Sequence, residues 1–227
     1  MKDIQAFYDH KYASFEGLPG YSSEKSKIDS WMSLLSSKKQ VVLPDLKFHN
    51  CIDLGCGFGL KTFALGAYFR FTLGIDFSSK AIEIASLLNP VPDKIGFTCS
   101  EAGSVNTKFN FISAIGFSDF NVDDISLQND RISRICKQML LPGGLLMVVS
   151  FTDFSGTSPT GWYLHTRKEM KNLTALLKQN GLMAKIFFPS NSYTSFQKSD
   201  GPGKLDLLKQ TFALKPKIYL MIIQSYG

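Results

Sequence analysis

The sequence predicts an α/β fold with a doubly wound, mostly parallel sheet of seven strands that helices cover on both faces. From residue 50 onward, short apolar runs alternate with stretches in which apolar residues recur at helical spacing. Such an alternation of strands and helices is typical of a parallel sheet. The run Leu145–Phe151 is almost entirely apolar, as expected for a strand that is buried on both of its faces.

The individual elements follow from apolar periodicity and from the residues that begin or end each stretch. Ser78-Ser79 can cap a helix, Asn89-Pro90 ends that helix, and Gly181 ends a later one. Pro142-Gly143-Gly144 predicts a turn. The predicted strands are Cys51–Leu54, Thr72–Asp76, Ile95–Ser100, Phe109–Ile115, Leu145–Phe151, Leu182–Phe188 and Ile218–Gln224. The predicted helices are Leu60–Phe69, Lys80–Leu88, Asp130–Leu140 and Arg167–Asn180.

Two kinds of region depart from this regular alternation. The N-terminal stretch is helical and aromatic-rich in character, with a break at Gly17-Leu18-Pro19-Gly20, so we expect an N-terminal helical cap over residues 1–45. Residues 46–227 are expected to form one domain with insertions at 152–166 and 189–216. The last two strands have no long helix clearly between them, which predicts an antiparallel edge strand.

The composition indicates which compartment and which kinds of partner to expect. The formal net charge is +6, and the lysines are spread along the chain, which indicates a solvated basic surface; a patch for an acidic substrate or nucleic acid is the alternative. The four cysteines show no CxxC spacing, so we expect reduced thiols and no metal site. The N-terminus lacks the apolar stretch of a signal peptide, and no apolar run approaches the length of a membrane span. We therefore expect a cytoplasmic protein without a membrane partner.

A glycine-rich segment, Asp53-Leu54-Gly55-Cys56-Gly57-Phe58-Gly59, follows the first predicted strand. Its glycines lack a Cβ, so the backbone can turn tightly and approach a ligand closely. The helix that follows presents free N–H groups to polar or anionic ligand atoms. Asp53 repels phosphate and attracts cations or hydroxyl groups, which favours a cationic cofactor over a dinucleotide. The nicotinamide-binding fingerprint also requires a glycine where Leu60 stands.

Several segments resemble, in the right order, the motifs of class I S-adenosylmethionine (AdoMet)-dependent methyltransferases, from about residue 50 to the C-terminus. The glycine-rich segment is the first of them. The others are Gly74-Ile75-Asp76-Phe77-Ser78, Glu101-Ala102, Phe109-Asn110-Phe111-Ile112 (with Asn110 in place of a frequent aspartate) and Leu141-Pro142-Gly143-Gly144-Leu145. The resemblance implies a Rossmann-like fold, AdoMet as the methyl donor and S-adenosylhomocysteine as its product.

The resemblance also implies which residues hold the sugar and the amino-acid end of the cofactor. Gly55, Gly57 and Gly59 would let the loop pass under the amino-acid end of AdoMet. Asp53 would place negative charge near its ammonium group, the alternative being an aspartate that stabilises the turn. Asp76 would accept hydrogen bonds from both ribose hydroxyls, the alternative being an acid favoured by a helix dipole.

The adenine ring would be held by residues that follow the second, third and fourth strands. Glu101 would accept from the adenine amino group, and the Ala102 N–H would serve a ring nitrogen. Phe77 and Ile115 would pack on the two faces of the ring, with ordinary core packing as the alternative for both.

A methyl group on a sulfonium is already activated, so the protein has to align the acceptor and exclude water. If the acceptor carries a proton, a base can remove it. The candidate bases are His165, His10 and Asp119, each with a structural or surface role as the alternative.

Aromatic residues could cover the acceptor. Tyr8, Tyr12 and Tyr21 lie in the predicted cap, and Trp162 and Tyr163 lie after the fifth strand. Packing of the N-terminal helix onto the sheet is the alternative for the first three.

We expect transfer of the methyl group, by in-line displacement, to an O or N atom of a small molecule. Many enzymes that methylate exocyclic or amide nitrogens have an Asn/Asp-Pro-Pro-aromatic signature after the fourth strand. That signature is absent here, and Gly116-Phe117-Ser118-Asp119 stands in its place. Methylation of a macromolecule, RNA or protein, is one alternative, and a non-catalytic AdoMet-binding protein is another. The oligomeric state stays open.

Overall fold

The computed structural model describes residues 20–37, 45–158, 161–188 and 218–225. Its strands are β1 (Asn50–Leu54), β2 (Phe71–Asp76), β3 (Ile95–Cys99), β4 (Phe109–Ile115), β5 (Leu140–Phe151), β6 (Leu182–Phe187) and β7 (Ile218–Ser225). Its α-helices are α1 (Tyr21–Ser37), α2 (Leu60–Leu65), α3 (Ser79–Leu87), α4 (Ile125–Met139) and α5 (Arg167–Gln179). Single 3-10 turns are formed by Leu46–Phe48, Ala102–Ser104 and Ser118–Phe120.

All seven strands form one sheet with the order β3-β2-β1-β4-β5-β7-β6. β1 to β5 pair in parallel, whereas β7 is antiparallel to both β5 and β6. The predicted mostly parallel, seven-stranded α/β fold is thus confirmed. The antiparallel strand lies one place in from the edge, because β7 inserts between β5 and β6.

Local capping signals correctly marked the start of α3 and the end of α5. Ser78 precedes α3, and its hydroxyl oxygen accepts from the Ala81 N–H at 3.2 Å. α5 begins with a reciprocal capping box between Thr166 and Glu169. It is followed by Gly181 at φ +77°, a left-handed conformation that glycine adopts without strain.

Two predicted helix boundaries were wrong. α2 ends at Leu65 rather than Phe69, because the chain continues there in tighter turns, with the Tyr68 N–H donating to the Leu65 carbonyl at 2.8 Å. α4 begins at Ile125, five residues before the predicted start, because the Asp124 carboxylate accepts from the N–H groups of the first turn.

The turn predicted at Pro142-Gly143-Gly144 lies inside β5 as a bulge. Leu140 pairs with Phe109, and Leu145 already pairs with Phe111, so β5 carries extra residues against β4. A Cβ on Gly144 would lie 2.8 Å from the Leu141 carbonyl oxygen, which explains why glycine is needed there.

Each face of the sheet is covered by a separate apolar cluster. α1 contributes Trp31 to the cluster on one face, which also contains Met147 of β5. α4 and α5 contribute Ile132 and Leu173 to the other cluster, which contains Val148. The neighbours Met147 and Val148 point to opposite faces, as the pleat of a strand requires.

The position of α1 against the sheet agrees with a cap, but the domain limits at residue 45 and the insertion at 152–166 stay predictions. Residues 1–19 and 38–44 of the cap and the whole 189–216 insertion lie outside the described residues. In the described segments, no helix combines the length and the apolar content needed to cross a membrane.

Candidate functional site

The candidate site lies at the carboxyl ends of β1 and β4, where the strand order reverses direction. β1, β2 and β3 proceed to one edge of the sheet, and the chain then returns to β4 on the other side of β1. Ligands of open α/β sheets bind in the crevice at such a switch point. Asp53 is in register with Gly74 of β2 and Ser113 of β4, so it lies on the central strand of this region.

The glycine loop, defined as residues 55–59, needs its glycines for conformational reasons. Gly55, Gly57 and Gly59 have φ values of +68°, +54° and +85°, in the region that side chains with a Cβ rarely adopt. Gly59 is also the residue that precedes α2, and a Cβ there would lie 2.8 Å from Cζ of Phe97. The loop therefore presents bare backbone at the start of the helix.

Asp76 ends β2 next to this loop and is fixed by backbone donors. Its Oδ2 accepts from the Gly57 N–H at 2.9 Å, and its Oδ1 accepts from the Ser78 N–H at 2.9 Å. The Cys56 N–H donates to the Ile75 carbonyl at 3.0 Å, which also ties the loop to β2. A carboxylate can accept about four hydrogen bonds, so these two are compatible with further bonds from ligand hydroxyls.

Asp53 carries a buried carboxylate beneath the loop, with only 2% of the residue exposed. Its Oδ2 accepts from the Thr62 hydroxyl at 2.7 Å. Burial raises the pKa of Asp53, and the Thr62 hydrogen bond and the positive charge of Lys61 offset only part of that effect. A cationic ligand group near the loop would favour the ionised form and would be stabilised by it.

The residues predicted to hold adenine lie at the ends of β2 and β3. The Ser100 N–H donates to the Asp76 carbonyl at 2.9 Å, which holds the two strand ends together. Glu101 follows and is exposed, while Ala102 and Phe77 are half-buried. The structure thus brings these three residues to the same side of the glycine loop as Asp76, and their contacts with adenine stay predictions.

Ile115 lies on the other side of the loop. It is the last residue of β4, is 6% exposed and packs in the cluster beneath α1. The chain then turns at Gly116, with φ +64°, and the ring of Phe117 packs against Gly55: a Cβ on Gly55 would lie 3.0 Å from Cδ2 of Phe117.

Two loops meet beyond the ends of β4 and β5; we name residues 116–124 the post-β4 loop and residues 152–166 the post-β5 loop. The Asn121 side chain joins them through both of its polar atoms. Its Nδ2 donates to the Tyr163 carbonyl at 2.9 Å, and its Oδ1 accepts from the Tyr163 N–H at 2.8 Å.

His165 adds to this junction from within the protein, since it is 1% exposed. Its Nε2 lies 2.9 Å from the Val122 carbonyl, which can only accept, so Nε2 carries the proton. Its own carbonyl accepts from the Thr152 hydroxyl at 2.6 Å. Burial lowers the pKa of His165, so the ring is neutral near pH 7. These contacts hold the post-β4 and post-β5 loops together, and a role as base stays a prediction.

Trp162 and Tyr163 lie in the post-β5 loop and are half-buried. The Trp162 ring packs edge to face on Phe151, with the centroids 5.7 Å apart, and Phe151 is 47% exposed. The Tyr163 hydroxyl donates to Glu169 Oε1 at 2.7 Å, a bond that raises the pKa of the tyrosine. An aromatic surface thus borders the end of β5.

The remaining candidate residues are an aspartate in the post-β4 loop, a tyrosine at the start of α1 and three residues near the N-terminus. The Asp119 side chain is 57% exposed in the post-β4 loop, and its Oδ1 lies 3.7 Å from Nη1 of Arg131. Tyr21 begins α1 and packs against the cluster beneath that helix. Among the described residues, no three His, Cys, Asp or Glu side chains lie close enough to share a metal ion. Outside the described residues are Tyr8, His10 and Tyr12.

The sequence matches no family model and no curated protein, but the structure matches many solved structures. One is magnesium protoporphyrin IX methyltransferase (ChlM) from Synechocystis PCC 6803 with bound AdoMet, with a TM-score of 0.60 and 13% identity over 99% of this chain and 96% of that one. Another is the N-methyltransferase NodS from Bradyrhizobium japonicum WM9, with a TM-score of 0.58 and 15% identity over 90% of this chain and 97% of that one.

A third is the complex between the Haloferax volcanii Trm112 methyltransferase activator and a putative methyltransferase, with a TM-score of 0.63 and 13% identity over 97% of this chain and 98% of that one. The chain has the fold of AdoMet-dependent methyltransferases. Within that methyltransferase fold, the glycine loop and Asp76 occupy the switch point of the sheet, and the two aromatic-rich loops lie beside it.

The parts of the site that are local in the chain are predictable from the sequence, whereas those that depend on packing are not. The glycine loop, Asp53 and Asp76 do come together. Phe117 and Asn121 were not singled out, because neither lies in a motif and each acts on a residue far away in the sequence. The sequence signal that could have indicated a role for Asn121 is its position as a polar residue between the apolar Phe120 and Val122.

We predict that Asp53→Asn stabilises the ligand-free protein by about 1 kcal/mol at neutral pH, because the variant removes a buried charge and keeps an acceptor for Thr62. The raised pKa of Asp53 means that the wild type loses stability as the pH rises from the unfolded value, about 3.9, through the folded one. The advantage of the variant should therefore grow with pH. Urea unfolding across this range measures it, with the exposed Asp93→Asn as control; a variant less stable than the wild type at neutral pH would contradict the prediction.

We predict that His165→Gln makes the free energy of unfolding less sensitive to acid. The pKa of His165 is lowered in the folded state, so the unfolded chain takes up the proton first as the pH falls below about 6.5 and folding weakens. Glutamine can still donate toward Val122 but cannot ionise. Unfolding free energies measured between about pH 8 and pH 5 should fall more steeply for the wild type. Parallel curves for the two proteins would show that His165 does not titrate in this way.

Proposed function

We propose that this protein is an AdoMet-dependent methyltransferase that acts on a small molecule. The observation that carries the proposal is the Asp76 carboxylate, which the backbone of Gly57 and Ser78 holds at the end of β2, next to the glycine loop. This carboxylate is only 6% exposed, so its position is well defined. A carboxylate at this point is suited to two neighbouring hydroxyls of a ribose.

The charges of the crevice support AdoMet over a phosphate-bearing cofactor. Asp53 and Asp76 each place a carboxylate next to the loop, and each carboxylate would repel a phosphate bound there. AdoMet carries no phosphate, and its ammonium and sulfonium groups are cations. The burial that raises the pKa of Asp53 would be offset by such a cation. The residues present therefore fit this cofactor.

AdoMet would supply an activated methyl group, and this chain would orient the acceptor, exclude water and, for some acceptors, take up a proton. The glycine loop would hold the amino-acid end, with Gly55, Gly57 and Gly59 in their left-handed conformations. The proton acceptor would be Asp119, which is exposed beside the post-β5 loop, or His165 after an opening of that loop. Neither is required for an acceptor that is already deprotonated.

The acceptor would lie over β4 and β5, against Trp162 and Phe151. Their rings pack edge to face, and Phe151 is one of the few large apolar side chains exposed among the described residues. Such a surface suits an apolar or aromatic small molecule with an O or N nucleophile. The name of the Synechocystis neighbour gives a porphyrin as its substrate, which agrees with this reading.

Methylation of a macromolecule is the second candidate. The net charge of +6 favours an acidic partner such as RNA, and the Haloferax neighbour is a complex with an activator protein. A protein partner would be compatible with either class of acceptor.

We predict that Asp76→Asn weakens AdoMet binding by about tenfold or more, since a ribose hydroxyl loses a charged acceptor. The same variant should lose discrimination against the 2′-deoxy analogue of S-adenosylhomocysteine, because the lost partner is the hydroxyl itself. Titration calorimetry of the wild type and the variant with AdoMet, S-adenosylhomocysteine and the deoxy analogue measures the six affinities, and Asp93→Asn serves as a surface control. An Asp76→Asn protein that still disfavours the deoxy analogue as strongly as the wild type would remove Asp76 from the ribose site.

We predict that methyl label from AdoMet enters a dialysable compound of a cell extract that chromatography separates from AdoMet itself, as expected for a small acceptor. Trp162→Ala should lower this incorporation without changing AdoMet affinity, whereas Leu87→Ala, at a position 79% exposed on α3, should leave both unchanged. Label that stays in RNA or protein after dialysis would support the second candidate. AdoMet binding with no labelled product in any fraction would point to a non-catalytic protein.

A further inference from the structure

Phe117 and Gly55 make a contact that no local motif explains. A Cβ built on Gly55 would lie 3.0 Å from Cδ2 and 3.7 Å from Cε2 of Phe117, so the phenyl ring packs directly on the backbone of the glycine loop. The ring is braced from behind by Phe120, edge to face at 5.1 Å, and Phe120 is 2% exposed. Gly55 and Phe117 themselves are only half-buried, so the pair borders the crevice.

This contact lies at a defined place along the carboxyl edge of the sheet. In the order of the strands, Glu101 follows β3, Asp76 ends β2, the glycine loop follows β1 and Phe117 follows β4. Neighbouring strands are about 4.8 Å apart. A nucleoside with its ribose at Asp76 and its base toward Glu101 therefore directs its 5′ substituent toward the junction of β1 and β4. In AdoMet that substituent begins with the sulfonium.

We propose that Phe117 contacts the sulfonium and makes the protein prefer the charged donor to its neutral product. The inference rests on the proposed function. An aromatic ring attracts a cation through its negative face, and S-adenosylhomocysteine lacks the sulfonium charge. The ammonium group, which Asp53 would attract, is present in both compounds. Its contribution therefore cancels when the two affinities are compared, and the ratio reports on the sulfonium.

The contact would serve turnover. When both compounds are present, a donor that binds more tightly than its product replaces that product in the site more readily. Phe117 lies in the post-β4 loop, and Asn121 of that loop is bonded to Tyr163 of the loop that would cover the acceptor. Phe117 is thus assigned as a specificity-determining residue for the donor.

The test compares the affinities of AdoMet and S-adenosylhomocysteine in three variants by titration calorimetry. Phe117→Leu keeps an apolar side chain but removes the ring, so the affinity for AdoMet should fall about three- to tenfold more than that for the product. Phe117→Tyr keeps the ring and should retain the wild-type ratio. Phe120→Leu, which weakens the packing that supports the ring, should shift the ratio in the same direction as Phe117→Leu but by less.

The outcomes separate this inference from the proposed function. If the wild type binds neither compound, the proposed function fails. If it binds both and Phe117→Leu lowers the two affinities equally, Phe117 only fills space and the inference is overturned. If Phe117→Leu changes neither affinity, Phe117 lies outside the cofactor site, which also overturns it. Thermal unfolding of each variant confirms that it is folded, and Phe117→Met replaces the leucine variant if that one is not.

Discussion

The hydrogen bonds that Asp76 accepts from Gly57 and Ser78 are the interaction on which the site depends. They join the end of β2, the glycine loop and the residue that caps α3 through one carboxylate. Hydrogen bonds to a charged group contribute about 1.5–3 kcal/mol each, so the loop is ordered before any ligand arrives. Binding then does not have to order the loop, which lowers its entropic cost.

The crevice divides into two halves that differ in chemistry. The β1–β3 side is acidic and polar, with Asp53 buried beneath the loop and Glu101 exposed beyond β3. The β4–β5 side is aromatic, with Phe151 at the end of β5, Phe117 in the post-β4 loop and Trp162 in the post-β5 loop. A charged donor and an apolar acceptor would meet where these halves join. The junction of the post-β4 and post-β5 loops holds the aromatic half together, and the contact of Phe117 with Gly55 joins that half to the glycine loop.

The sequence predicted the sheet well because its signals are local: apolar runs, glycines with special conformations and capping residues such as Ser78. The glycine loop and Asp76 are recognisable for the same reason. The bulge in β5, the early start of α4 and the contact of Phe117 with Gly55 were not predicted. The bulge and the contact depend on what a residue packs against, and β4 and β1 are distant in the chain although adjacent in the sheet. The start of α4 depends on the Asp124 cap, a local signal that the apolar periodicity from Asp130 onward did not include.

The position of β7 has a consequence for the order in which the protein can fold. Among the described strands β7 comes last in the chain, yet it lies between β5 and β6 and pairs with both. Until it is available, β6 and α5 have no strand that links them to the rest of the sheet, and one side of β5 lacks a partner. Such long-range pairing slows folding. The parallel half from β1 to β5 can form first during synthesis, and β7 then closes the sheet in a late step.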